Sequence, residues 1–400
     1  MKILESKPVN DGFYMPAEYD RHYGCIMIWP ERTDSWSFGG YEARKVFVKI
    51  ASAIAESEKV IICASYSQYE NARLALPDNI RVIEMSNNDA WARDCAPTFV
   101  VDNARTLRGI SWCFNAWGGL VDGLYFPWDK DNAMAYKLCD MLDADAYNAG
   151  DFVLEGGSIH VDGEGTAMVT ASCLLSKGRN PSLTKSEIEQ NLKDYLNVSK
   201  VLWLPCGVFN DETNEHVDNI CAFTQPGHVV LGMTSDRDDV QYDMSMQCLD
   251  YLENETDAKG RTITVHKLPM PDPVYITPEE CEGLDSCGFE PVRTAGERLA
   301  ASYVNFYISN NAIIMPGFGK PDNPDDINHV YDADAKKILE ELFPSRRVIQ
   351  IYTREILTGG GNIHCLTQQI PFFAIQEVHN EKCMRRRCSD ALFKRYRSQH

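Results

Sequence analysis

The sequence predicts an α/β fold built from about five similar units closed around an axis, and three observations carry that prediction. Helix-like and strand-like segments alternate along the chain, the pattern of α/β proteins. A strand–turn–strand word recurs, with glycine- or asparagine-containing turns between alternating runs. Polar words also recur: Asp94 to Glu155 and Glu155 to His216 are each 61 residues, and the 149 residues from His216 to Cys365 leave room for two more intervals if each is somewhat longer.

Taken in order, Tyr41 to Ser57 carries Val46, Phe47, Ile50 and Ile54 at helical spacing, and Lys59 to Ala64 reads as the strand that follows. Asp131–Leu142, Ser186–Leu196, Val240–Leu252 and Asp334–Phe343 are further helices by periodicity, and Val201–Leu204 and Arg347–Ile351 are short apolar strands. The hairpins are Gly157–Asp162 with Thr166–Thr170, His216–Phe223 with His228–Leu231, and Ser302–Ile308 with Ala312–Met315; Trp91 to Val101 opens a fourth. Gly156-Gly-Ser-Ile-His160 echoes Gly360-Gly-Asn-Ile-His364, and His160-Val-Asp162 echoes His216-Val-Asp218. Gly260 to Arg298 is the least regular stretch, rich in proline and acids, and reads as a rim or lid. Residues 1–376 then form one domain and 377–400 a basic tail, the last 25 residues holding seven Lys/Arg against three acids. That tail reads as a solvated helix or flexible extension.

Composition narrows the function classes. With 39 basic and 58 acidic residues the formal charge is −19, which repels nucleic acid and anionic membranes and concentrates cations. The N-terminus lacks an apolar leader, and no run approaches the roughly 18 apolar residues that span a bilayer. The 14 cysteines are scattered, without a CxxC pair, so they read as reduced thiols of a cytoplasmic protein rather than as a disulfide framework or zinc site.

Thr358-Gly-Gly-Gly-Asn-Ile-His-Cys-Leu-Thr-Gln-Gln369 is the most informative segment. Three consecutive glycines, Gly360 among them, let backbone approach a ligand closely, and Cys365 follows within reach. A nucleophilic cysteine needs a base and groups that manage charge. Trp91-Ala-Arg-Asp94, Leu154-Glu-Gly-Gly157 and Glu215-His-Val-Asp218 supply those types, with His216 and Asp218 placed on one face if the segment is a strand. Singly, Asp94 could pair an arginine, Glu155 could cap a turn and His216 could be a satisfied core residue. Their recurrence at unit spacing points instead to one site.

These words, with Trp29-Pro30, Arg32-Thr-Asp-Ser-Trp36, Gly39-Gly40 and Phe114-Asn-Ala-Trp-Gly-Gly119 in the same order, resemble the agmatine deiminase family of the guanidino-group-modifying (pentein) superfamily, five-bladed ααβαβ propellers. The resemblance covers about residues 10 to 375; Cys95-Ala96-Pro97 departs from the family's usual glycine before proline. It implies that Cys365 attacks the guanidinium carbon, that His216 protonates the leaving ammonia and then activates water, and that Glu155 orients His216 and contacts a guanidinium nitrogen. It further implies that Asp94 and Asp218 grip the guanidinium, that Trp91 packs along the alkyl chain and that Gly360 contacts substrate. No metal or organic cofactor is implied. The expected partner is a small cationic guanidino compound, with no nucleic acid and no membrane; homo-oligomerisation stays open.

Other readings share some of these features. An arginine or peptidyl-arginine deiminase, or an amidinotransferase, would use the same fold, but free arginine calls for cations to meet its carboxylate, and the site words offer only Arg32 and Arg93. Either could instead pair a neighbouring acid such as Asp34 or Asp89. A polyamine-binding protein would need neither Cys365 nor His216, and a papain-like protease would find the surrounding acids wrong for a neutral amide.

Overall fold

The computed structural model describes residues 1–286 and 293–374. The basic tail from 377, with Cys383 and Cys388, lies outside the described residues. Among the described residues, five small sheets carry one repeated plan. In each, a short inner strand runs antiparallel to a middle strand, and a helix then crosses over to an outer strand parallel to the middle one. The helices are Tyr41–Ile54, Met134–Met141, Lys185–Leu196, Val240–Glu253 and Asn328–Leu342. Antiparallel neighbours need only a tight turn, whereas parallel ones need a crossover, so the alternation of hairpin and helix follows from the pairing itself.

The ring is closed by the chain's own end. Four inner strands, Thr98–Val101, His160–Val161, Cys221–Gln225 and Tyr307–Ile308, precede their middle strands directly. The fifth, Gln368–Pro371, comes from the C-terminal part and pairs with His22–Ile28, with Gln368 opposite Ile26 and Gln369 opposite Cys25. Middle strands such as Ala312–Gly317 are buried at every position, which is why they read as apolar runs rather than as alternations. Burial of apolar area at about 25 cal/mol per Å² on both faces of each sheet is the main force holding the ring.

Several expectations need correction. His216 and Asp218 are not on a strand: Val217–Ile220 is one helical turn with His216 at its N-cap, and the strand starts at Cys221. The predicted strand at Gly157 likewise begins only at His160, after a 3-10 turn over Gly156–Ser158, and the third hairpin's first strand is only Tyr307–Ile308. Thr264–Pro269, inside the stretch read as irregular, is the outer strand beside His228–Met233; it is an edge, largely polar and part-exposed, so no apolar run marks it. Asp131–Leu142 divides into Asp129–Asn132 and Met134–Met141.

Candidate active site

In four of the five units the segment leading into the inner strand carries the predicted site residues. Ala92–Cys95 holds Asp94, Gly156–Ser158 follows Glu155, and Val217–Ile220 holds Asp218 beside His216. Cys365 stands three residues before Gln368–Pro371. These turns converge on Gly157. A methyl group there would lie 2.6 Å from His216 Nδ1, 2.9 Å from Asp94 Oδ1 and 3.1 Å from Asp218 Oδ2, so only glycine fits between the three.

Cys365 Sγ lies 3.8 Å from Asp218 Oδ2. Asp94 accepts from the Gly157 amide at 2.8 Å and from Trp117 Nε1 at 2.9 Å, while Asp218 accepts from His364 Nδ1 at 2.7 Å. The second Asp218 oxygen is buried and has no hydrogen-bond partner among the described residues. His216 stands 4.0 Å from Asp94 through Nδ1 and 3.6 Å from Glu155 through Nε2, and Glu155 pairs with Arg179 at 2.8 Å. A cavity of about 420 Å³ opens onto this cluster, lined by Trp91, Asp94, Trp117, Glu212, Gly360 and Cys365 among others. His216, Glu155 and Asp218 are buried beside that wall.

The charges pull against one another. Burial, with Asp218 and Glu155 close by, pushes Asp94 up to about 6 against the pull of His216. Burial opposes the charged form of His216, but Asp94, Cys173 and Glu155 outweigh it and hold the ring well above its ordinary value as an imidazolium. Burial also works against Glu155, which Arg179 and His216 nonetheless keep below the usual carboxylate range. The Cys365 thiol is pushed well above its ordinary value by burial, then by Asp218 and Asp94. A cation placed between those two carboxylates would reverse that last effect.

Trp91 stacks on Trp36 at 5.0 Å, and Asp89 holds both indole N–H groups, at 3.1 and 2.7 Å. Gly360 adopts φ +107°, where a side chain would meet Glu212 and Arg293. The arginines resolve differently from expectation. Arg32 does pair with Asp34, at 2.6 Å, but Arg93 is not the partner of Asp89: it reaches Glu18 at 3.6 Å and donates to His364 O and Gln369 Oε1. The arginine that lines the cavity is Arg293, ion-paired with Glu212; it belongs to the stretch read as a rim.

Sequence reasoning missed Glu18, Arg179, His364 and Asn305 as members of this network. His364 left a trace in the word that echoes Gly156 to His160, and Asn305 another, standing 60 residues before Cys365. The extra length is therefore not shared between the last two intervals but falls wholly between His216 and Asn305. Two buried triads, Glu18–His160–His364 and Glu155–Cys173–His216, bring ligand-type atoms within 4.8 Å of one another. In each, a buried arginine competes for the carboxylate: Arg93 for Glu18 and Arg179 for Glu155.

Five crossover units closed into a ring, with thiol, imidazole and carboxylates meeting at its axis, define the pentein class of guanidino-group-modifying enzymes. Residues 14–371 match the Porphyromonas-type peptidyl-arginine deiminase family. An agmatine deiminase of Pseudomonas aeruginosa is 51% identical over 367 residues, covering 92% of this chain and 97% of that protein. The solved agmatine deiminase of Enterococcus faecalis superposes with a TM-score of 0.87 at 45% identity, covering 92% of this chain and 99% of that one. A Cys-to-Ser agmatine deiminase of C. jejuni with substrate bound gives 0.75 at 26% identity, covering 91% and 97%. The chain belongs to the agmatine deiminase family.

Proposed function

We propose that this chain hydrolyses agmatine to N-carbamoylputrescine and ammonia, with Cys365 as the nucleophile. The observation that carries the reading is the pair of buried carboxylates, Asp94 and Asp218, beside Cys365, one Asp218 oxygen being left without a hydrogen-bond partner among the described residues. A guanidinium remains protonated and offers N–H groups in a fixed fork, which suits two carboxylate acceptors.

Binding of the cation beside Asp94 and Asp218 offsets their repulsion and lets the thiol ionise, its proton leaving to solvent. The thiolate forms a C–S bond to the guanidinium carbon. His216, held as imidazolium, gives its proton to the departing nitrogen, so that ammonia leaves and an amidino-thioether remains. Neutral His216 then takes a proton from water, hydroxide adds to the same carbon, and the C–S bond breaks to restore the thiolate and release the ureido product, the added hydroxyl's proton passing to solvent. Glu155, itself steadied by Arg179, holds His216 in place. Trp91 packs along the four-carbon chain, and Gly360 lets the loop backbone approach it. Reduced cysteines accord with a cytoplasmic setting; every cysteine among the described residues is a free thiol, and no helix among them is long and apolar enough to cross a membrane.

Agmatine is favoured over arginine because the cavity offers an α-carboxylate no uncommitted cation among the described residues: Arg293 is already paired with Glu212. Burying an unpaired carboxylate should discriminate by about 10²-fold or more. Steady-state ammonia release from agmatine and from arginine tests this. Equal or better kcat/KM on arginine would overturn the substrate assignment.

A further inference from the structure

The unit that none of the assigned roles uses is the fourth, and its turn before the inner strand carries Asn305. That side chain is fully buried and every polar atom of it is engaged. Its Oδ1 accepts from the backbone N–H of His364 at 2.9 Å and of Cys365 at 3.4 Å. Its Nδ2 donates to Asn219 Oδ1 at 2.8 Å and points at Cys365 Sγ from 3.2 Å.

Which end of an amide faces a sulfur is decided by its other partners, and here two independent constraints agree. Backbone N–H groups can only donate, so the end facing His364 and Cys365 N must be oxygen. Asn219 Nδ2 donates to Asp211 Oδ2 at 2.7 Å; an ionised carboxylate can only accept, so Asn219 turns its oxygen toward Asn305 and demands N–H in return. Asp211 is itself fixed by the backbone N–H and hydroxyl of Thr213, at 3.0 and 2.7 Å. A carboxylate anchored in the loop before His216 thus sets, through two amides, the polarity presented to the nucleophile.

We propose that Asn305 is a further catalytic residue, an N–H donor that stabilises the Cys365 thiolate, with Asn219 and Asp211 as positioning residues that lock its orientation. This rests on the reading of Cys365 as the nucleophile. The charged groups about the sulfur are Asp218 and Asp94, which disfavour the anion, with His364 and His216 paired to them; the Asn362 backbone also lowers the thiol's pKa. The neutral thiol can donate to Asn305 Oδ1 at 3.5 Å or to Asp218 at 3.8 Å. Ionisation ends those bonds and leaves Nδ2 as the nearer, attractive contact. A hydrogen bond made to the charged form favours that form.

The experiment is alkylation of Cys365 by 2-chloroacetamidine, followed against pH in wild type, Asn305→Ala, Asn305→Ser and Asp211→Asn. The midpoint of the alkylation profile should rise by about one pH unit in Asn305→Ala. Alkylation at neutral pH should then be about tenfold slower, since the thiolate fraction falls tenfold per unit. Asn305→Ser should fall between the two, because its hydroxyl still donates. Asp211→Asn keeps Asn305 itself and frees Asn219 to turn over, so a smaller shift in the same direction is expected. It decides the matter if both Asn305 variants fail to fold. A wild-type midpoint in every folded variant would overturn the proposal. No agmatine enters the assay, so an error in the substrate assignment leaves the outcome untouched. Failure of the amidine to label wild-type Cys365 would instead count against the nucleophile.

Discussion

Asp218 and His364 form a buried pair in which His364 Nδ1 donates to Asp218 Oδ2 at 2.7 Å, while the opposite ring nitrogen donates to Glu18 at 2.7 Å. With a carboxylate on each side, the ring is held as imidazolium. Burial and Arg93 oppose that charge, but Glu18 and Asp218 prevail and raise its pKa above the ordinary 6.5. The clamp leaves the other Asp218 oxygen without a hydrogen-bond partner among the described residues.

A raised imidazole pKa contributes stability that is full below about 6.5 and is lost as pH rises through the folded value. Glu18→Gln removes one of the two anions, so His364 should titrate about one unit lower or more. Urea unfolding between about pH 6 and pH 9 should show the loss of stability beginning at lower pH in the variant. An unchanged pH profile would contradict the clamp.

Asp94, at about 6, must be ionised to receive a guanidinium. For agmatine, kcat/KM should therefore fall as pH drops through about 6, and kcat should hold to lower pH because bound cation favours the carboxylate. Asp94→Asn should cost about 3–5 kcal/mol of transition-state stabilisation. It should also abolish that limb; a limb that persists in the variant would assign it elsewhere.

Glu155 lies between Arg179 and His216, where it touches the general acid more directly than the cavity. Glu155→Gln should lower kcat by about a hundredfold with little change in KM. A loss confined to KM would place Glu155 on the substrate instead.

Gly157→Ala drives a methyl group to 2.6 Å from His216 Nδ1. The backbone there is locked by the Gly157 N–H bond to Asp94, so the imidazole must move. Activity should drop by about 10² or more, as a displacement near 1 Å imposes, with circular dichroism unchanged. Near-normal turnover would show that His216 has freedom the packing denies it.

Cys365→Ser should abolish turnover and leave the melting temperature close to that of wild type, because an alkoxide is far harder to form than a thiolate and the volume change is small. Wild-type-like ammonia release in this variant would end the covalent mechanism.

The sequence by itself determined the α/β class, the recurring unit and the words that meet at the axis, because each leaves a local mark. Helical periodicity, apolar runs such as Lys59–Ala64 and the spacing of Asp94, Glu155 and His216 are all properties of neighbouring or regularly spaced residues. Only the tertiary structure decided which groups stand behind them. Glu18 reaches His364 across 346 positions and Asn310 reaches His22 across 288, and no periodicity records a hydrogen bond between segments joined by ring closure. His216 departs from the strand that its word predicts for a related reason: the word is compatible with either, and the segment forms a helical turn packed around Gly157. Arg93 and Arg293 show the same limit, since a cation's partner is set by which acid the fold brings within a few ångströms, and Coulomb attraction between buried groups depends on that distance and on the exclusion of water.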